Sequence, residues 1–168
     1  MVTALFKDRQ SAERAFDAVI ARGYDKGDIN LVMDDDTRQR YFIAHRDIDT
    51  ELGNKAGEGI ELGGPSGGTL GTIVTAVAAV GTFLLLPGLG LVLAGPVAAA
   101  VAGAGAAAVA GGLIGALHDW GIPNERIETY EAGIKDGGIL MGVKPHTDED
   151  ARYFVDQWKA GGAEHVCS

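Results

Sequence analysis

Between Leu62 and Leu117 the chain has no aspartate, glutamate, lysine, arginine or histidine, so its 14 basic and 23 acidic residues all fall elsewhere in the 168. A stretch with that composition excludes acid-base chemistry, metal ligation and ion pairing by its own side chains, and leaves packing as its use. Cysteine is nearly absent too. The single Cys167 can form no internal disulfide, so nothing points to an oxidising compartment, and a cytoplasmic origin is the default. No Lys/Arg-rich block offsets the net charge of −9, and phosphate would be repelled, which excludes nucleic acid as a partner. The opening MVTALFKDRQ carries acids and bases from position 7 onward and lacks the apolar core of a signal peptide.

What is present falls into four segments: 1–33, 34–61, 62–117 and 118–168. In the first, VTALF has the period of a strand, and the period then changes to that of a helix. Ala12, Ala15, Phe16, Val19 and Ile20 make one apolar stripe, with Asp8 placed to cap its start and Gly23 to end it. Ile29, Leu31 and Met33 alternate as in a half-buried strand. The C-terminal segment mirrors this order. GGILMGVKP reads as a strand, and Ala151, Phe154, Val155 and Trp158 line one helical face behind a capping box of Thr147 and Asp150. AEHVC reads as a last short strand. Two βαβ halves are the parts of a ferredoxin-like sandwich, a four-stranded antiparallel sheet with two helices on one face. An additional helix is expected with Pro123 in its first turn, where the absent N–H costs nothing, and with Ile127, Tyr130 and Ile134 on its apolar side. Residues 34–61 form a polar connector, with a short helix expected around Thr37 to Ala44. The expected fold class is therefore α+β: a ferredoxin-like βαβ-βαβ sandwich interrupted by a long insertion.

That insertion, 62–117, reads as an apolar helical hairpin. Two runs, Gly67 to Leu86 and Pro96 to Leu117, flank PGLGLVLAG, whose prolines and glycines break the helix. Each run is roughly 20 residues, which as a helix is about 30 Å, the thickness of a bilayer's hydrocarbon core. Gly67, Gly71, Thr75 and Ala79 recur at every fourth position in the first run, and Gly95, at the end of the link, begins the same spacing through Ala99, Gly103, Ala107, Gly111 and Gly115 of the second. Such a glycine zipper makes a smooth groove along a helix, against which another backbone packs closely. Glycine costs an exposed helix about 1 kcal/mol relative to alanine, so the pattern is tolerable only where packing returns the loss. These ten positions are the expected self-association site. Two environments suit it: lipid, or the shared dry core of a soluble homo-oligomer or filament.

The combination of AERAFDAVIARGY, ELGNKAGEG, LPGLGLVLAGP and GIPNERIETYEAGIKDGGILMGV resembles the bacterial general-stress, or heat-induced stress protein, domain family. The resemblance covers nearly the whole chain. It implies a stress-associated protein without an established enzymatic activity, and it carries over no catalytic residue.

The remaining candidates for chemistry have plainer readings. His45, His118, His146 and His165 lack ligand spacing, so no metal site is expected. DDD at 34–36 lacks the alternation of a calcium loop. GGPSGGTLG lacks the lysine of a phosphate-binding loop and reads as a hinge. His165 and Cys167 would share one face of an edge strand, with no third member of a triad. Trp120, directly after the hairpin, is a candidate for a membrane-interface residue, and Trp158 reads as core. No cofactor is implied and no enzyme is expected. The expected function is non-enzymatic self-assembly through the hairpin, with the chain itself and membrane lipid as partners, on the cytoplasmic side of the inner membrane. The alternative is a large cytoplasmic oligomer, and a further one is a small-molecule-binding regulatory domain, which rests on fold analogy.

Overall fold

The computed structural model describes residues 1–40, 83–86, 90–96, 98, 117–118 and 122–168. In chain order these form β1 (Val2–Phe6), α1 (Arg9–Ala21), β2 (Ile29–Asp34), α2 (Asp35–Arg38), β3 (Phe83–Leu86), β4 (Leu91–Ala94), α3 (Asn124–Lys135), β5 (Ile139–Val143), α4 (Asp148–Ala160) and β6 (Glu164–Cys167). The fold is mixed α+β around an antiparallel sheet.

The expected local signals act where the sequence places them. The Asp8 carboxylate accepts the Ser11 N–H at 2.8 Å to cap α1, and Gly23 beyond its end sits at φ +93, a conformation an L side chain resists. The Thr147 hydroxyl accepts the Asp150 N–H at the start of α4. Pro123, at φ −60, stands one position before α3 rather than inside its first turn. A helix does open the connector, with α2 spanning Asp35–Arg38, while 41–61, including the remainder of the expected helix to Ala44, lies outside the described residues.

The sheet has six strands in the order β3-β4-β2-β5-β1-β6, every neighbouring pair antiparallel. β5 lies between β1 and β2, with Val143 opposite both Val2 and Ile29, and β1 lies between β5 and β6. The two terminal βαβ units are thus interleaved strand by strand, and neither builds its sheet without the other.

Both faces are covered. Val2, Ala4 and Phe6 of β1, with Ile29, Leu31, Met33, Ile139, Met141 and Val143, bury against Phe16 and Val19 of α1 and Phe154 and Trp158 of α4. Residues of opposite parity, Leu5, Val32, Leu93 and Leu140, bury against Ile127, Tyr130 and Ile134 of α3 on the other face. Helix α3 comes close to β1 because Gly133 has no Cβ, a position the Leu5 side chain fills. This corrects the expectation of helices on one face and of a half-buried β2: Val32 is fully buried because α3 forms a third layer. Strands covered on both faces carry continuous apolar runs, as ILMGV does in β5.

A second correction concerns the apolar segment. FLLL, expected at the end of a helical run, is β3, and LVLA, expected in the helix-breaking link, is β4. They form a β-hairpin in register from Leu86↔Leu91 to Phe83↔Ala94, and β4 continues the sheet along β2 from Leu31↔Ala94 to Asp34↔Leu91. A short apolar run has no period that separates a buried helix from a buried strand. Here the branched and leucine-rich four-residue segments on either side of a Pro/Gly turn sequence decide for strand.

Candidate functional site

Of the ten small residues expected to mediate self-association, Gly95 lies among the described residues, and Gly67, Gly71, Thr75, Ala79, Ala99, Gly103, Ala107, Gly111 and Gly115 lie outside them. Gly95 stands at a bend that ends β4, at φ +98, and its carbonyl accepts the Ala98 N–H at 3.0 Å. A Cβ at this position would run into the Ile29 carbonyl oxygen and approach the Asn30 Cα at 3.1 Å. Its lack of a side chain is therefore needed within the chain, where the backbone turns off the sheet against the start of β2.

The second apolar run is anchored at both ends. Ala98 near its start and Leu117 at its finish are 1% and 0% exposed, in one cluster with Leu91, Leu93, Ile122 and Ile127. Both ends of the charge-free run therefore rest on the sheet face that α3 covers. Trp120 and His45 lie outside the described residues. Among those described, no helix is long and apolar enough to cross a membrane.

Two polar constellations join residues far apart in sequence. In the first, the Tyr24 hydroxyl accepts the His146 N–H at 2.6 Å and donates to Asp150 Oδ2 at 3.0 Å. Arg22 Nε donates to Asp150 Oδ1 at 2.6 Å, and the same guanidinium reaches Glu149 at 3.0 Å and lies over the Tyr153 ring. The Tyr24 ring stacks on His146 with centroids 4.3 Å apart. The arginine holds the Asp150 carboxyl below its ordinary range, with further help from Thr147 and Tyr24, while burial pushes the Tyr24 hydroxyl up. These bonds make the group a clasp between the α1–β2 corner and the start of α4. Asp150 completes this clasp as well as the α4 cap.

In the second constellation, the buried Tyr130 hydroxyl donates to the His165 carbonyl at 2.7 Å, so Thr3 Oγ1, 3.1 Å away, donates to it. Burial raises the Tyr130 pKa, and the phenol stays protonated. These bonds tie α3 to β1 and β6 through the sheet's second face. His165 is at φ +53, and the β1–β6 register shifts between Thr3 and Leu5. Strict alternation along β6 is broken there, so spacing alone no longer puts His165 and Cys167 on one face. Each tyrosine hydroxyl both accepts and donates a hydrogen bond within the protein. Among the described residues, no three His, Cys, Asp or Glu side chains cluster as metal ligands.

The sequence carried no signal for either constellation. Tyr24 and Asp150 are 126 positions apart and Thr3 and Tyr130 are 127 apart, and only the interleaved strand order brings them together. No family model, curated protein or solved structure matches the chain.

Proposed function

We propose that this is a non-enzymatic, stress-associated protein that assembles with copies of itself, the small-residue stripes of 62–117 packing protein against protein. The stress association rests on the sequence resemblance alone. The strand order β6-β1-β5-β2 and the two helices on one face support reading the terminal halves as a ferredoxin-like unit, widened by β4 and β3.

The observation that carries the choice of environment is the position of β3 and β4. In a hairpin whose two legs each cross a bilayer, the link between the legs lies on the far side from both chain ends. Here Leu91–Ala94 hydrogen-bonds along β2, in the sheet that also holds the first and last strands. Leu117 then returns to the core of the same sheet. A run of about 20 residues crosses a hydrocarbon core of about 30 Å once, not out and back. This arrangement supports a shared protein core over two membrane-spanning legs. The second reading, a hairpin in lipid, is favoured by the apolar length of LGTIVTAVAAVGTFLLL.

Lysis without detergent, an alkaline carbonate wash of the membranes and size-exclusion of the soluble fraction separate the two. A large soluble species is the expected result. Protein retained in washed membranes and released only by detergent would overturn it.

A further inference from the structure

The two edges of the sheet are built differently. β6 is blunted: its pairing with β1 shifts register, His165 sits at φ +53, and Glu164 pairs with Lys7 at 2.8 Å. Bulges and charges of this kind keep an edge strand from recruiting another strand. β3, at the opposite edge, has neither. FLLL contains no charge and pairs with β4 through four successive residues without a shift. Among the described residues no strand lies on its outer side.

We propose that β3 pairs antiparallel with β3 of a second copy, continuing the six-stranded sheet of each chain across a two-fold axis. Two features select a second copy as the occupant. An antiparallel edge is self-complementary under a two-fold, so one strand supplies both sides of the contact. Each chain carries a net charge of −9, yet β3 and the residues next to it in sequence from Leu62 to Leu117 carry none, so the paired strands themselves press no like charges together. The contact goes beyond the association of small-residue stripes and does not depend on them.

The symmetry restricts the register. Directly opposed residues of an antiparallel pair put their side chains on the same face, and successive residues alternate. A two-fold perpendicular to the sheet therefore sets one residue opposite its own copy, and within β3 the centre falls at Leu84 or Leu85.

The test uses the full chain with Cys167→Ser, carrying either Leu84→Cys or Leu85→Cys, under mild oxidation, read by non-reducing electrophoresis and mass spectrometry. Opposed Cβ atoms are about 4.5–5.5 Å apart and diagonal ones about 7–8 Å. Against the separation of about 4 Å that a disulfide needs, only the self-opposed position is near enough. One of the two variants is expected to form an intermolecular disulfide at least tenfold faster than the other. The same selectivity is expected with Gly103→Leu and Gly111→Leu added, which separates this contact from the stripes. No intermolecular disulfide at either position, equal rates at both, or loss of the link in the glycine-substituted background would each overturn the proposal.

Discussion

Replacing Trp158 by alanine is expected to lower the unfolding free energy by about 3–5 kcal/mol, the range for emptying a fully buried large aromatic site. Trp158 is 0% exposed. Its ring meets Phe6 edge-on at 5.9 Å and lies over Phe154 at 6.1 Å, so it joins α4 to β1 across the first core. Its indole N–H donates to the Ala15 carbonyl of α1 at 3.3 Å. One side chain of α4 thus contacts both β1 and α1 of the N-terminal half, and its loss loosens the interleaving of the two halves. Measured by urea unfolding monitored by circular dichroism, the effect is comparable to the whole stability of a marginal domain, about 5 kcal/mol. A loss below 1 kcal/mol would mean that the site collapses without cost and does not hold the halves together.

Gly95→Ala separates two accounts of the same residue by sign. In a helical stripe, alanine for glycine stabilises by about 1 kcal/mol. At φ +98, with the Ile29 carbonyl where the new methyl would go, it destabilises. The backbone conformation alone costs about 1–3 kcal/mol for an L side chain. The obstacle is main chain, which cannot swing aside as the tip of a side chain can, so the loss is expected at or above the upper end of that range. Urea unfolding again reads it. A stabilised variant would put Gly95 back in a helix and remove the bend that ends β4.

The residues that repeat with a clear period were legible before the structure. The stripe through Ala12, Phe16 and Val19 and the one through Phe154 and Trp158 bury on one face as their spacing requires, and Asp8 and Thr147 cap the helices expected of them. The apolar side of α3 at Ile127, Tyr130 and Ile134 is likewise where the sequence puts it. What period could not convey is which face an element covers. Nothing in NERIETYEAGIK says that it closes the second face of the sheet, and that placement is what buries Val32.

FLLL departs from the expectation of a helix, and LVLA from that of a helix-breaking link, for a related reason. A run with no polar residues has no amphipathic phase, so strand and helix fit it equally until pairing with β2 decides. The candidate site was legible as a repeat of small residues, but the repeat does not specify its environment. The sheet supplies part of that information: β4 and Leu117 fix both ends of the second run on one face of one domain. Gly95 matches the four-residue spacing, yet the structure gives it a backbone role within the chain.

The central claim is that the small-residue stripes are a surface on which copies of this chain pack. Sedimentation velocity without detergent, comparing the natural chain with a Gly103→Leu, Gly111→Leu variant, tests it most directly. A leucine at either position fills the groove by which two backbones approach. The account predicts that the natural chain sediments as a multimer larger than a dimer. The variant should fall to a dimer or smaller, with its cooperative urea unfolding unchanged. A variant that keeps the size of the natural assembly would contradict the claim.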